Sequence, residues 1–253
     1  MARTFTDAGD KHLKCPSAVV TAKPLTLACW IYPTTTTQDH YMAMSLGNSA
    51  NYYDQYYIGY SPEWPSAGDR TLRFVQRDSS GSVVESKTGL SVNGWNHIAG
   101  TIDSSGNMKA YVNSNASTGQ TGSRDPASLN QTGVGCLARG TSYDYFCFEG
   151  SIAEGAIWDA DLTADEIAVL AAGYSPLFVR PQNLKAYWPL IRQCPSVDNP
   201  DLVGGFDLTD YNSPGDTAHC RVIRPAPRLV PAPAQATGEI AVLMMHYKKM
   251  RVA

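Results

Sequence analysis

Apolar and polar side chains alternate in short stretches along the chain, and turn-forming residues separate these stretches. In LTLACWIY, residues 25–32, every second position from Leu25 is apolar, so these side chains share one face of an extended strand. In TLRFVQR, residues 71–77, Leu72 and Phe74 lie opposite a face that carries two arginines. The pattern predicts β-strands with one dry face and one wet face.

The stretches GWNHIAGTID and NMKAYVN flank residues 104–106, Ser-Ser-Gly, and this arrangement predicts a β-hairpin. A single helix is predicted in LTADEIAVLAAG, where Thr163 and Glu166 have the spacing of a capping box and Gly173 supplies a left-handed stop. Many short strands with one short helix predict an all-β fold, a two-sheet antiparallel jelly-roll sandwich.

Five of the 14 tyrosines fall within residues 52–60. Alternation places Tyr56, Ile58 and Tyr60 on one face, which we interpret as core-facing. The neighbouring loops supply exposed rings, which stack on sugars or pack against proteins, together with amides and carboxylates that can bond hydroxyl groups. The candidate glycan- or partner-binding residues are Asn51, Tyr52, Tyr53, Asp54, Trp64, Tyr143, Asp144 and Tyr145.

Composition changes after the predicted helix, since ten of the 16 prolines follow residue 175. Residues 184–191 and 201–209 still have the pattern of strands that contact a core. We therefore predict one jelly-roll domain over residues 1–210, in which residues 174–210 return to pack on the sandwich. An extended, proline-rich arm is predicted over residues 211–253, because proline cannot pair at the centre of a sheet.

The balance of charge also differs between the two parts of the chain. Residues 1–173 carry 11 Lys and Arg against 17 Asp and Glu, whereas the last 33 residues carry six cations against Glu239. Six dispersed cations are too few to predict nucleic-acid binding, so an acidic protein surface is the expected partner of the arm. The predicted arm contacts are Arg221, Arg224, Arg228, Lys248, Lys249 and Arg251.

The six cysteines show no metal-ligand spacing, and we expect mostly buried thiols; Cys194 and Cys220 would pair only in an oxidising medium. No apolar run approaches the length of about 20 residues that spans a bilayer. The first ten residues lack the apolar stretch of a secretory signal, so we expect synthesis and use without Sec export.

Residues 95–113 and 148–167 carry the phrases WNHIAGT, YVN, FEGSIAE and LTADEI. In this combination they resemble the laminin-G-like, concanavalin A-like lectin and glucanase jelly rolls, over residues 4–175. The family usually has Gly where this chain has Ser114, so the turn there is expected to differ. Residues 173–190 and 201–209 resemble the extension behind such domains in proteins of tailed bacteriophages and prophages.

The resemblance raises two chemical questions. Many such jelly rolls hold a structural Ca²⁺, for which Asp7, Asp10, Asp159 and Asp161 are the candidate ligands; ordinary turn aspartates are the alternative. No cofactor is otherwise expected.

Glucan hydrolases of this fold carry E-x-D-x-x-E on one strand, and the six glutamates of this chain never form that pattern. The resemblance implies a structural role for His97, so we predict a protein that is not an enzyme.

The leading hypothesis is a virion structural or decoration protein that is made in the host cytoplasm. Its arm would attach the head to capsid or tail proteins, as an oligomer on the particle, and the head would offer its loops to host-surface polysaccharide. The alternative is an extracellular bacterial carbohydrate-binding module, and a glucan hydrolase is the third reading. No membrane partner is expected.

Overall fold

The computed structural model describes residues 2–6, 10–34, 41–61, 70–122, 124–140, 142–191 and 199–224. These residues form two antiparallel sheets, which confirms the all-β jelly-roll prediction. The larger sheet has the order β10-β9-β8-β3-β15-β1-β18, with β11 paired to β9 and β16 paired to β15. Its strands are β1 Ala2–Phe5, β3 Leu25–Pro33, β8 Asn96–Ile102, β9 Asn107–Val112, β10 Asn115–Ala116, β11 Gln120–Thr121, β15 Gly150–Trp158, β16 Leu184–Trp188 and β18 Gly215–Thr217.

The smaller sheet has the order β17-β2-β12-β4-β5-β6-β7. A separate hairpin of β13 and β14 accompanies it. The strands are β2 His12–Cys15, β4 Tyr41–Gly47, β5 Gln55–Ser61, β6 Thr71–Asp78, β7 Gly81–Lys87, β12 Gln131–Val134, β13 Leu137–Arg139, β14 Ser142–Tyr145 and β17 Thr209–Tyr211.

The main core lies between the two sheets and follows the predicted alternation. The apolar face of β3 is fully enclosed, and Tyr56, Ile58 and Tyr60 of β5 are almost inaccessible to solvent. This result confirms the core assignment of those two tyrosines. The predicted hairpin also forms, with Gly106 at φ +89° in the turn between β8 and β9.

The helix α1, Ala164–Ala171, covers the outer face of the larger sheet and encloses a second apolar cluster there. Both halves of the predicted capping box form between Thr163 and Glu166, and Gly173 follows the helix at φ +90°. Trp158 anchors the layer, because its indole N–H donates to the carbonyl of Val179 over 2.9 Å.

The turn after β9 uses Asn113 and Ser114, both with positive φ (48° and 69°). Two successive residues in this region form the hairpin turn that suits the twist of antiparallel strands. Ser114 therefore adopts the conformation for which glycine is preferred, and the hairpin forms with serine at this position.

The prediction of a strand over residues 201–209 was wrong. The carboxylate of Asp201 accepts hydrogen bonds from the backbone N–H groups of Val203, Gly204 and Phe206, and these bonds hold the segment as a turn. A side chain that satisfies nearby backbone donors competes with strand pairing. Leu208, which is buried, and Phe206, which is partly buried, still contact the core as predicted.

The predicted domain boundary at residue 210 is too early. Strand β17 pairs with β2, and β18 pairs with β1, so both sheets use residues after 208 as edge strands. The buried guanidinium of Arg3 in β1 contacts Asp210 of β17 and Asp216 of β18, the latter at 2.9 Å. The domain therefore continues to residue 224, the last described residue.

The final described segment is fastened by a buried carboxylate. Glu154 lies in an irregularity of β15 at φ +54°, with its side chain only 2% exposed. Its oxygens contact the Tyr187 hydroxyl and Arg224 Nη2, both at 2.5 Å, and His219 Nε2 at 3.2 Å. Ile223 adds a backbone bond to Gly173 over 2.6 Å. We call residues 219–224 the C-terminal clasp.

The structure also describes His97 and five of the six cysteines. Burial lowers the pKa of His97 to about 3, so its imidazole is neutral inside the domain. Cys15, Cys29, Cys136, Cys147 and Cys220 are buried, and Cys194 lies outside the described residues. Within the described ranges, no helix has the length and apolar character needed to cross a membrane.

Candidate functional site

A groove of about 520 Å³ opens on the outer face of the smaller sheet, the face directed away from the core. It runs across the strands from β17 to the loop after β4. Its volume lies within the range of small-molecule sites in proteins. The lining residues are Lys14, Pro16, Ser49, Asn130, Gln131, Gly140 and Thr209.

The polar side chains of the groove are held in place by one another. Asn130 donates to the Ser49 hydroxyl over 2.9 Å and accepts from the Ser49 backbone N–H over 2.8 Å. Gln131 donates to the carbonyl of Gly140 over 3.2 Å. A primary amide has two N–H donors, so Asn130 retains a second donor for a ligand.

Exposed tyrosines lie at both ends of the groove. At one end, Tyr211 of β17 is 43% exposed, and Lys14 Nζ lies 4.4 Å from its ring centroid. At the other end, Tyr52 is 46% exposed and lies so close to Gly140 that a β-carbon there would be 2.8 Å from the ring. The groove thus joins two aromatic surfaces through a polar floor.

The segment leading into β13 closes one side of the site by lying directly on the smaller sheet. Ser45 donates to the carbonyl of Cys136 and accepts from the N–H of Ala138. Gly47 permits this approach, since a β-carbon at that position would lie 1.7 Å from the Ala138 oxygen. The sheet therefore positions Arg139 and Gly140 beside Tyr52.

The loop that carries Tyr52 and Tyr53 is braced by two residues that the sequence suggested as ligands. Asn51 donates to Asp54 Oδ2 over 2.6 Å and accepts from the backbone N–H groups of Tyr53 and Asp54. The other oxygen of Asp54 accepts from the N–H of Ala127 over 2.9 Å. Asp54 is buried, and the hydrogen bonds of both residues shape the loop.

Arginines accompany the exposed rings. Arg77 lies 5.4 Å from the ring centroid of Tyr53, and Arg139 lies 5.7 Å from that of Tyr52. Arg139 also lies 5.5 Å from the ring of Phe146, which is partly exposed. Distances of this size are typical of cation–π contacts, which fix the guanidinium groups over the rings.

The remaining sequence-based candidates are distributed as follows. Tyr143, Asp144 and Tyr145 lie in strand β14 rather than in the loop that was predicted. Trp64 lies outside the described residues. Tyr52 and Tyr53 are therefore the candidates that the structure places, with exposed rings, at this surface.

The structure does not bring together the described aspartates among the proposed calcium ligands. Phe5, at the end of β1, pairs with Gly150 at the start of β15, so Asp10 follows that end. Asp159 and Asp161 follow the opposite end, nine residues and about 30 Å along the strand. Asp159 instead contacts Lys185 at 2.7 Å. Asp7 is not among the described residues, and those residues contain no group of three or more potential metal ligands.

The predicted arm contacts also separate into two groups. Arg224 belongs to the C-terminal clasp through Glu154, and Arg221 is exposed beside it. Arg224 therefore has a carboxylate partner within the domain. The four other predicted contacts lie beyond the described part of the chain: Arg228, Lys248, Lys249 and Arg251.

Comparison with known families identifies the family of this chain. A family model described as Laminin_G_3, of the concanavalin A-like lectin/glucanases superfamily, matches residues 7–168. The chain belongs to this family. No curated protein sequence matches it.

Solved structures share the fold at low sequence identity. A protein proposed to bind carbohydrate from Bacteroides ovatus has a TM-score of 0.62 at 17% identity, over 88% of this chain and 61% of that chain. The CBM40 module of Ruminococcus gnavus IT-sialidase has a TM-score of 0.51 at 13% identity, over 59% and 83%. A heptameric SAP-like pentraxin from Limulus polyphemus has a TM-score of 0.50 at 16% identity, over 64% and 75%.

Sequence reasoning missed most residues of the groove. Lys14, Asn130 and Tyr211 are far apart in the chain and meet only because β17, β2 and β12 are neighbours. No local motif marks them. The available signal was the exposed polar face of each strand, which becomes informative once the strand order is known.

Proposed function

We propose that this protein is a non-enzymatic carbohydrate-binding domain that holds a glycan in the groove on the outer face of the smaller sheet. The observation that carries the proposal is the position of exposed Tyr52 and Tyr211 at the two ends of a polar groove. Tyrosine offers an apolar face to the C–H groups of a pyranose and a hydroxyl group at its rim.

The floor of the groove supports the same function. Sugar hydroxyls need donors and acceptors, and the amide of Asn130 and the ammonium group of Lys14 provide them. The relatives from Bacteroides ovatus and Ruminococcus gnavus are named for carbohydrate binding, which agrees with the proposal. The proposal itself rests on the groove.

The absence of catalysis is part of the proposal. A retaining glycosidase needs two carboxyl groups about 5 Å apart across the scissile bond, and an inverting one needs a wider pair. The described residues that line the groove include no aspartate or glutamate. Asp54, a carboxylate of the neighbouring loop, accepts from the Asn51 amide with one oxygen and from the backbone N–H of Ala127 with the other.

Binding is tested with a glycan array, followed by calorimetry on the best ligand. Tyr52→Ala should weaken binding at least tenfold, because it removes one stacking surface. Tyr174→Ala is the matched control, since that ring is 42% exposed beside the helix layer of the larger sheet. The proposal is wrong if no glycan binds, or if the two variants weaken binding equally.

The C-terminal sequence supports a more specific proposal about where the protein acts. We further propose that residues 225–253 attach the head to a virion surface, as a structural or decoration protein. Their proline-rich and then apolar-basic composition supports this role, and the clasp fixes the point from which they start. Light-scattering mass should show self-association for the full chain but not for a chain ending at Arg224. Equal masses would contradict an assembly role.

A further inference from the structure

Positive charge concentrates on the outer face of the smaller sheet, although the whole chain has a net charge of −3. Successive residues of a strand point to opposite faces, so the register identifies the residues of this face. The described strand positions of this face contain no aspartate or glutamate. The cationic side chains at these positions are Lys14, Arg73 and Arg77.

Three arginines converge on one point of this face. Tyr57 pairs with Val75, so Arg73 and Arg77 flank it diagonally on the adjacent strand. Arg139 approaches from the hairpin above. Burial raises the pKa of Tyr57, and the positive charges of the three arginines act in the opposite direction.

The arginine cluster is continuous with the groove. Arg139 immediately precedes Gly140, which lines the groove and contacts Tyr52. Arg77 pairs with Gln55, and the Gln55 side chain donates to the carbonyl of Tyr52. A ligand lying in the groove and over Tyr52 would therefore reach the guanidinium groups.

We infer that the site selects acidic polysaccharides, that is, glycans carrying carboxylate or sulfate groups. This inference rests on the proposed function and names its ligand class. A guanidinium group presents paired N–H donors that match the two oxygens of a carboxylate or sulfate. Cation–π contacts hold Arg77 over the Tyr53 ring and Arg139 over the Tyr52 ring, beside the groove.

Three acidic side chains that the structure describes near this face are directed elsewhere. Asp54 accepts from Asn51 and from the backbone N–H of Ala127, and Asp210 lies on the opposite face of β17, where it contacts Arg3. Asp78, at the end of β6, lies 3.8 Å from Arg124 and accepts from the turn that follows. Among the side chains that the structure describes, the charge beside the exposed rings is therefore positive, which favours an anionic ligand.

The experiment compares matched pairs of polymers by calorimetry in EDTA at 150 mM NaCl: pectate against fully methyl-esterified pectin, and dextran sulfate against dextran. We expect an acidic member to bind at least tenfold more tightly than its neutral partner. Arg77→Gln should remove most of this difference. Lys109→Gln, which removes one exposed charge from β9 of the larger sheet, should leave it intact.

The two pairs also separate the sources of charge, since pectate carries carboxylates and dextran sulfate carries sulfates. Equal binding of acidic and neutral polymers would overturn the inference but leave glycan binding standing. An acidic preference that Arg77→Gln and Lys109→Gln reduce equally would assign it to overall charge and overturn the site. If neither these polymers nor any glycan of the array binds, the proposed function also fails.

Discussion

Gly47 shows how one residue without a side chain can shape the candidate site. It lies where the backbone of Ala138 crosses the smaller sheet, and this crossing positions Arg139 and Gly140. Local sequence marks Gly47 only as a glycine at the end of a strand. The requirement for glycine at this position comes from a segment about 90 residues away, so it is visible only in the folded chain.

Gly47→Ala should destabilise the domain and weaken glycan binding. The new methyl group would overlap the Ala138 carbonyl, and such overpacking costs about 1–3 kcal/mol of unfolding free energy. Thermal unfolding and calorimetry measure the two effects. Gly155→Ala is the control, because a β-carbon there meets nothing closer than 3.6 Å. Equal stability of the two variants would show that the hairpin tolerates displacement.

Single residues also show where residue type leaves a structural and a binding role open. Asp54 and Asn51 have the chemistry of sugar ligands, but each also has the chemistry that braces a turn. The fold uses them for the second purpose. Residue type alone could not distinguish these roles, because the deciding partner of Asp54 is the backbone of Ala127.

At the scale of elements, local signals were reliable where the pattern was long or the cap was complete. Strand β3 and helix α1 have nine and eight residues and follow the predicted pattern. Strands β17 and β18 have three residues each and no apolar alternation, so the sequence could not reveal them. Their pairing depends on long-range contacts with β2 and β1.

The C-terminal clasp contains a histidine whose geometry requires two protons. His219 Nδ1 lies 2.6 Å from the Cys220 carbonyl, and Nε2 faces the Pro189 carbonyl and Glu154. All three partners are acceptors, so both ring nitrogens must donate. Burial alone would lower the pKa of His219, but these acceptors outweigh burial and raise the pKa above its ordinary value.

The clasp should therefore loosen in mild alkali. A raised folded-state pKa gives stabilisation that is fully present below about pH 6.5, the ordinary imidazole value, and is lost as pH rises through the folded-state pKa. Arg224 and Tyr187 also face Glu154, but the pKa of each is raised, and neither titrates first. Burial raises the pKa of the Cys220 thiol to about 12, so it stays neutral.

Amide hydrogen exchange, corrected for intrinsic rates, measures this loosening. Protection of the Ile223 amide, which donates to Gly173, should fall between pH 6 and pH 9. The Asn113 amide, bonded to the His97 carbonyl, is the reference and should not change. His219→Gln should abolish the pH dependence. A pH dependence that persists in this variant would contradict the assignment.

At the scale of the whole molecule, Arg3 joins both sheets and both ends of the described chain. It extends from β1 to Asp210 in one sheet and Asp216 in the other, and its side chain is 1% exposed. Replacing both aspartates by alanine would leave a buried guanidinium without these carboxylates. We expect a loss of about 3–5 kcal/mol of unfolding free energy.

Denaturant unfolding measures that loss, and Arg3→Met tests its cause. Adding Arg3→Met to the double variant should recover much of the stability, because the uncompensated charge is gone while the side-chain volume is similar. If the triple variant is no more stable than the double variant, the aspartates act through the edge strands themselves. The charge argument would then be wrong.

The pairing of β18 with β1 also has a mechanical consequence. A pull on residues 225–253 would act first on the clasp, where Arg224 contacts Glu154, and only then on β18. Strand β18 lies at the edge of its sheet and pairs over three residues, so it could be peeled away bond by bond. A domain held to a surface through these residues would thus lose its edge pairing step by step under tension, while the sandwich that holds the groove stayed folded.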